Sequence, residues 1–269
     1  MKKLLGGLVA AWMAFGLHAA PADEALQAAI AGPQRTPAFA ARDVWRHPYE
    51  TLRFFGIRPN STVVEISPGG GWYTEILAPY LHEQGQLILA ADDPLSDKPA
   101  SIQSLERLKA KLQAQPAVYG RATLAVFAPP AKLGYAAPGS VDLVLTFRNV
   151  HNWSQYGDAG VRAVFASAFQ SLKPGGVLGV VEHRLPADRA QDAGTSSGYV
   201  HQDYVVQIAR SVGFDLEASS EVNANPKDTA DHPGGVWALP PGYANKDVDR
   251  ERFQAIGESD RMTLKFVKP

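Results

Sequence analysis

The chain has 269 residues, with 26 basic and 27 acidic side chains and no cysteine. Without cysteine there are no disulfides, thiolate metal sites or cysteine nucleophile, and a near-neutral charge with no basic run argues against a nucleic-acid partner. The length suits one α/β domain with a sizeable core, and no internal repeat or low-complexity linker divides it.

The first 22 residues, "MKKLLGGLVAAWMAFGLHAAPA", place two lysines before an apolar stretch and end in small residues. That order predicts a secretory signal peptide cut after Ala22, and hence a periplasmic or secreted mature chain, 23–269. An uncleaved anchor or a buried first helix is the alternative. The apolar core is shorter than the ~20 residues a span needs, so no stable membrane span is expected after cleavage. Removing residues 1–22 takes away Lys2 and Lys3 and no acid, leaving 24 basic against 27 acidic side chains.

Residues 23–60 read as an N-terminal helical extension: "DEALQAAIAG" is short and amphipathic, and "AARDVWRHPYETLRFFGI" carries a second helix interrupted near Pro48. From residue 61 strands and helices alternate. "STVVEIS", "GQLILAA", "ATLAVFA", "SVDLVLTF" and "GVLGVVEH" are strand-like, separated by helical segments such as "ASIQSLERLKAKLQAQ" and "AGVRAVFASAFQSL". Nearly continuous apolar strands between helices indicate a parallel sheet covered on both faces. After a helix in "GYVHQDYVVQIARSVGF" and a strand in "DLEASSEVN", residues 222–260 turn polar and Pro/Gly-rich before a last strand, "RMTLKFVK". The apolar Val236, Trp237 and Leu239 in that stretch favour a packed, lid-like insertion over a floppy tail.

The most informative stretch is "VVEISPGGGWYTEIL". A glycine-rich turn from strand to helix lets backbone approach a ligand and aims amide N–H groups at it. The acid at the strand tip, Glu65, suits a ligand carrying an amine or hydroxyls better than a pyrophosphate. Trp72 and Tyr73 open the following helix, either walling the ligand pocket or packing under the lid.

With Glu65, Ser67, Gly69 and Gly71 the chain resembles the class I S-adenosylmethionine-dependent methyltransferases, whose first motif is an acid followed by G-x-G-x-G. The resemblance continues through "SVDLVLTFRNVHNW" and "LKPGGVLGVVEHR" to the last strand, covering roughly residues 40–269. More narrowly, "TFRNVHNW", "NANPKDTADHPGGVW" and "GESDRMTLKFVKP" are similar to a group of exported bacterial methyltransferases of unknown substrate. The resemblance implies a Rossmann-like seven-stranded sheet whose last strand is antiparallel, inserted between the fifth and sixth. It implies S-adenosylmethionine as cofactor and an unidentified small-molecule acceptor. Glu65, Ser67, Gly69, Gly70, Gly71 and Tyr73 are the implied cofactor residues. Ser67 replaces the usual first glycine. Ala91 stands where the ribose-binding acid of the second strand belongs, so Asp92, one residue on, is the candidate for that contact.

Ligands of open α/β sheets bind beyond the carboxyl ends of the strands. There the chain is unusually polar: Arg148, Asn149 and His151 after the fourth strand, Glu182 and His183 after the fifth, Asn223 and Asn225 after the sixth. His151 is the candidate to accept a proton from the acceptor, or else it caps the next helix. Arg148 pairs either with an acidic substrate group or internally with Glu182 or Asp142. Strand alternation sends Glu182 and His183 to opposite faces. No short metal spacing joins His151, His183, His201 and His232, so no metal site is expected. Two further functions stay open: an exported small-ligand-binding protein that keeps the fold, and a metal-assisted lyase or hydrolase.

Overall fold

The computed structural model describes residues 22–269. The segment read as an export signal lies outside the described residues except for Ala22, which opens the first helix. Among the described residues no helix is long and apolar enough to cross a membrane.

Elements are numbered in chain order. The N-terminal extension consists of α1 (Ala22–Ile30), α2 (Pro37–Ala40), α3 (Asp43–Arg46) and α4 (Pro48–Phe55). The single interrupted helix expected from the sequence is thus a pair, with His47 at the corner in the left-handed region (φ 40°). Proline accounts for the break, because its ring disfavours helical geometry in the residue before it.

Seven strands follow: β1 (Thr62–Ile66), β2 (Gln86–Ala91), β3 (Thr123–Val126), β4 (Val141–Phe147), β5 (Leu172–His183), β6 (Asp215–Ser220) and β7 (Arg261–Val267). They form one sheet in the order β3-β2-β1-β4-β5-β7-β6. All neighbours are parallel except β7, which runs antiparallel to both β5 and β6, as the family resemblance implied. The chain reverses its direction of winding between β1 and β4, the topological switch point where such sheets bind ligands. The connecting helices are α5 (Thr74–Leu81), α6 (Pro99–Ala114), α7 (Pro116–Tyr119), α8 (Val150–Trp153), α9 (Gly157–Ser171), α10 (Gln202–Ser211) and α11 (Arg250–Ile256).

Alternation along the strands builds a core on each face. Val64, Val144 and Val180 meet Val161, Phe165 and Ile208 on one side, while Val63, Leu87 and Leu145 meet Leu26, Phe55 and Leu77 on the other. Burying each such side chain contributes roughly 1.5–3 kcal/mol. Gly179 in β5 is required by this packing, because a Cβ there would lie 2.8 Å from the Phe55 ring and 2.7 Å from Leu145.

Two outer pieces are fastened over the strand ends. The extension is held at Glu75, buried on α5, which accepts hydrogen bonds from the Thr36 N–H (2.8 Å) and hydroxyl (2.6 Å) and pairs with Lys111. The insertion is held by Asp228, which accepts from the Tyr199 hydroxyl (3.0 Å), the Asp260 N–H (2.8 Å) and His232 (2.8 Å). Val236, Leu239 and Phe253 are buried beside it. The insertion is therefore packed, as its apolar residues indicated. Asn223 and Asn225 are fasteners: the first donates to the hydroxyls of Thr51 and Thr263 (both 2.9 Å), the second to the Ile256 (2.9 Å) and Glu258 (2.6 Å) carbonyls. Their amide N–H groups are used to close the lid.

Candidate functional site

β1 delivers the chain into the turn Ser67–Gly71. Ser67, Gly69 and Gly71 all take positive φ (50°, 57° and 80°), so the serine adopts the left-handed geometry of the glycine it replaces. That costs a side-chain-bearing residue of order 1 kcal/mol. A Cβ on Gly69 would touch nothing within 4 Å, whereas one on Gly71 would lie 3.3 Å from Lys111 and 3.4 Å from Thr74. Gly69 therefore faces open cleft and Gly71 faces the packed start of α5.

Three clefts run side by side along the strand ends. The largest, about 630 Å³, lies beyond β1, β2 and β3, against Ser67, Gly69, Asp92, Phe127, Asn149 and Trp153. The second, about 350 Å³, shares Ser67, Gly69 and Asn149 and adds Glu65, Tyr73 and Arg148. The third, about 230 Å³, lies under the insertion, against Arg42, Arg46, Arg148, His183, Trp237 and Ser259. The glycine turn separates the first two, and the arginines separate the second from the third.

Burial raises the Glu65 carboxyl to about 7, against the hydrogen bond from the Thr74 hydroxyl (2.6 Å) and the charge of Arg148, which pull it down. Tyr73 is buried with its ring stacked on Phe147, centroids 3.5 Å apart. Trp72 donates its indole N–H to the Phe39 carbonyl (2.9 Å), so it packs under the N-terminal extension and not under the lid. Asp92 and Asp93 are separated by their partners. Asp93 accepts from the Leu95 N–H (3.0 Å) and from Lys132. Asp92 lines the large cleft, where burial raises its pKa and the hydroxyls of Ser101 and Ser104 lower it.

Asn149 donates to the Ile66 carbonyl and the Thr146 hydroxyl (both 3.1 Å), tying the ends of β1 and β4 together at the switch point. His151 belongs to a buried cluster. The fully buried Glu182 accepts from the N–H groups of His151 (3.2 Å) and His183 (2.7 Å), and its Oε1 lies 3.0 Å from His151 Nδ1. A carboxylate there keeps the proton on Nδ1 and leaves Nε2 to accept. The rings of His151 and His183 are 5.3 Å apart, and Trp237 from the lid meets His151 edge to face at 6.0 Å. Glu182 and His183 do share a site, which alternation alone did not require: the Glu182 carboxylate folds back onto its neighbour's N–H and its ligand atom lies within 4.8 Å of that of His183. Burial, and then His151 and Arg148, push His183 well below its ordinary pKa, so it stays neutral; its Nδ1 lies 2.5 Å from the Ser259 hydroxyl.

Ligand atoms of His151, Glu182 and His183 lie within 4.8 Å of one another, a grouping that sequence spacing did not reveal. His201 and His232 are elsewhere, the latter on Asp228.

Sequence reasoning singled out Arg148 but missed the arginines around it. Arg42 (2.6 Å), Arg46 (3.0 Å) and Arg261 (3.1 Å) all pair with one carboxylate, Glu258. Arg148 joins them at positive φ (62°) but forms no ion pair among the described residues, and its Nη1 is buried without a hydrogen-bond partner. It pairs with neither Glu182 nor Asp142; the latter is taken by Lys173 (2.6 Å) and the Thr62 N–H (2.8 Å). The four-residue spacing of Arg42 and Arg46 in "ARDVWR" was the available signal.

No protein-family model matches the sequence, and no curated relative matches it. Solved structures do match in shape. A phosphoethanolamine N-methyltransferase from Haemonchus contortus, in complex with S-adenosyl-L-methionine, superposes with TM-score 0.55 at 16% identity, over 84% of this chain and 53% of that one. A SAM-dependent methyltransferase from Aquifex aeolicus gives 0.51 at 14%, over 75% and 93%. The [4+2]-cyclase SpnF gives 0.54 at 13%, over 91% and 92%. The fold is that of the S-adenosylmethionine-dependent methyltransferases. Within the methyltransferase fold the three clefts occupy the ligand-binding end of the sheet, and the presence of a cyclase among the neighbours shows that the fold alone does not fix the reaction.

Proposed function

We propose that the chain is an S-adenosylmethionine-dependent methyltransferase acting on a small molecule. The observation that carries this is the left-handed turn Ser67–Gly71: Ser67 and Gly69 border both a cleft of about 630 Å³ with Asp92 on its wall and the adjoining cleft of about 350 Å³ that the buried Glu65 carboxyl lines. These residues fit the cofactor. Asp92 would take the ribose hydroxyls, the turn's N–H groups and Gly69 would leave room for the nucleoside, and Glu65 would face the amino acid end. When bound, S-adenosylmethionine supplies an electrophilic methyl group. The protein's part is to align the acceptor and exclude water, which the lid does with Trp237, and to take a proton, for which His151 Nε2 is available with Nδ1 fixed by Glu182.

Incubation with methyl-labelled cofactor and an extract of small molecules tests this reading. Label recovered in a new small molecule supports it. Label that stays on the cofactor although the cofactor binds favours a ligand-binding protein on the same fold. A second reading, metal-assisted lyase or hydrolase chemistry, rests on the His151, Glu182 and His183 group. Glu182 already accepts three hydrogen bonds there, which an ion would have to displace. Retention of activity in chelator would remove it.

We also propose, from the order of residue types in residues 1–22, that the mature chain works outside the cytoplasm. A cut after Ala22 would leave α1 nearly whole, with Leu26 in the core and Asp23 still paired to Arg53.

A further inference from the structure

The cleft under the lid carries more positive charge than the protein neutralises. The guanidiniums of Arg42, Arg46 and Arg261 pair with the single carboxylate of Glu258, and Arg148 stands beside them with no ion pair among the described residues. Arg46 and Arg261 are 3% and 2% exposed, so water does little to screen them. Burial and then the like charge of Arg148 pull Arg46 well below its ordinary pKa, and burial does the same to Arg261. Glu65 also feels the charge of Arg148, but its carboxyl is buried and accepts from the Thr74 hydroxyl, with no ion pair to Arg148 among the described residues. Buried like charges without a counter-ion are expensive to maintain. A planar guanidinium whose Nη1 is buried without a partner offers the donor geometry that carboxylates and phosphates take in pairs of hydrogen bonds.

The opposite wall is apolar. Val236, Trp237, Leu239 and Pro240 from the insertion line the same cleft, and Trp237 is 43% exposed beside it. His183 and Ser259 close the end nearest His151. A cavity of about 230 Å³ with guanidiniums on one side and an indole on the other suits a small molecule with one anionic end and one apolar body.

We propose that the third cleft binds the acceptor through a carboxylate or phosphate group held by Arg148 with Arg42 and Arg46, its apolar part lying against Trp237. This rests on the methyltransferase reading only in calling the ligand an acceptor; the anion site stands on its own geometry. The lid would then close over a neutralised cluster, which places the ligand's body beside His151.

Thermal-shift titration of the purified protein tests it, with benzoate, phenyl phosphate and benzylamine as probes, each with and without saturating S-adenosylhomocysteine. At least one anion should raise the unfolding midpoint by several degrees at millimolar concentration, and benzylamine should not. The stronger of the two identifies carboxylate or phosphate. Arg148→Met should abolish the shift while leaving the ligand-free midpoint equal or higher, since it removes an unpaired charge. Arg148→Lys should keep part of the shift. Should Arg148→Met fail to fold, Arg42→Met, at a partly exposed position, should still weaken anion binding at least tenfold. No shift with either anion, or an undiminished shift in both Met variants, overturns the proposal. So does competition between the anion and S-adenosylhomocysteine, which would assign the arginines to the cofactor's own carboxylate. A protein that binds the anion but not the nucleoside keeps this inference and sinks the methyltransferase reading.

Discussion

Arg46 and Glu258 lie 212 residues apart and meet at 3.0 Å in the interior, joining the N-terminal extension to the end of the lid. The same carboxylate takes Arg42 and Arg261, so one residue organises the floor of the third cleft. Burial alone would raise the Glu258 carboxyl, but Arg46, Arg261 and Arg148 outweigh it and hold it at about 2.

The first prediction concerns that carboxylate. Removing one partner of a buried ion-pair network leaves charges uncompensated, so Glu258→Gln should destabilise the protein by roughly 3–5 kcal/mol, read from denaturant unfolding at pH 7. The sign with pH follows. A depressed carboxyl contributes stability above its unfolded value, near 4.5, which is lost as pH falls toward 2. The wild type should lose on the order of 3 kcal/mol over that window, and the variant much less.

Glu65 should behave in the opposite sense. Its carboxyl is raised from 4.5 to about 7, so in the folded chain it keeps a proton that the unfolded chain has released. Stability therefore falls as pH rises from about 4.5 to 7 and is flat above. Glu65→Gln keeps the acceptor for Thr74 and removes the titration. The variant should match the wild type at pH 4 and exceed it by roughly 2–3 kcal/mol at pH 8, measured by chemical unfolding. Equal pH profiles would contradict the buried position of this carboxyl.

The lid depends on Asp228. Asp228→Ala would strand the Tyr199 hydroxyl, His232 and the Asp260 N–H, three buried groups that now share its oxygens. A cost of roughly 3–5 kcal/mol is expected, with amide exchange in residues 223–260 rising before that of the sheet. Uniform exchange across the chain would show that the insertion and the sheet unfold as one unit.

Much of the fold was legible because strands such as "TVVEI" and "VDLVLTF" are apolar runs between helical segments, and the glycine turn announces the ligand end of the sheet. Asp92 directly follows β2, which ends at Ala91, and it lines the large cleft. The arginine cluster was not legible. Its members come from α3 and the residue before it, the residue after β4 and the start of β7; Arg148 alone was singled out, and Arg42, Arg46 and Arg261 each read as an ordinary surface charge. Only the tertiary fold brings them to one carboxylate. The Glu182 and His183 pair escaped for a local reason, because alternation places the Cβ atoms and says nothing of a carboxylate that folds back onto the next residue's N–H.

The most direct test of the central claim is calorimetric titration of the purified protein with S-adenosylmethionine and S-adenosylhomocysteine, beside Gly69→Arg. Gly69 faces open cleft, and its positive φ should cost the variant only about 1 kcal/mol, a few degrees of unfolding midpoint. Micromolar binding of both ligands that disappears in the folded variant is the predicted result. No heat with either ligand, or equal binding by Gly69→Arg, would contradict a cofactor site at the glycine turn.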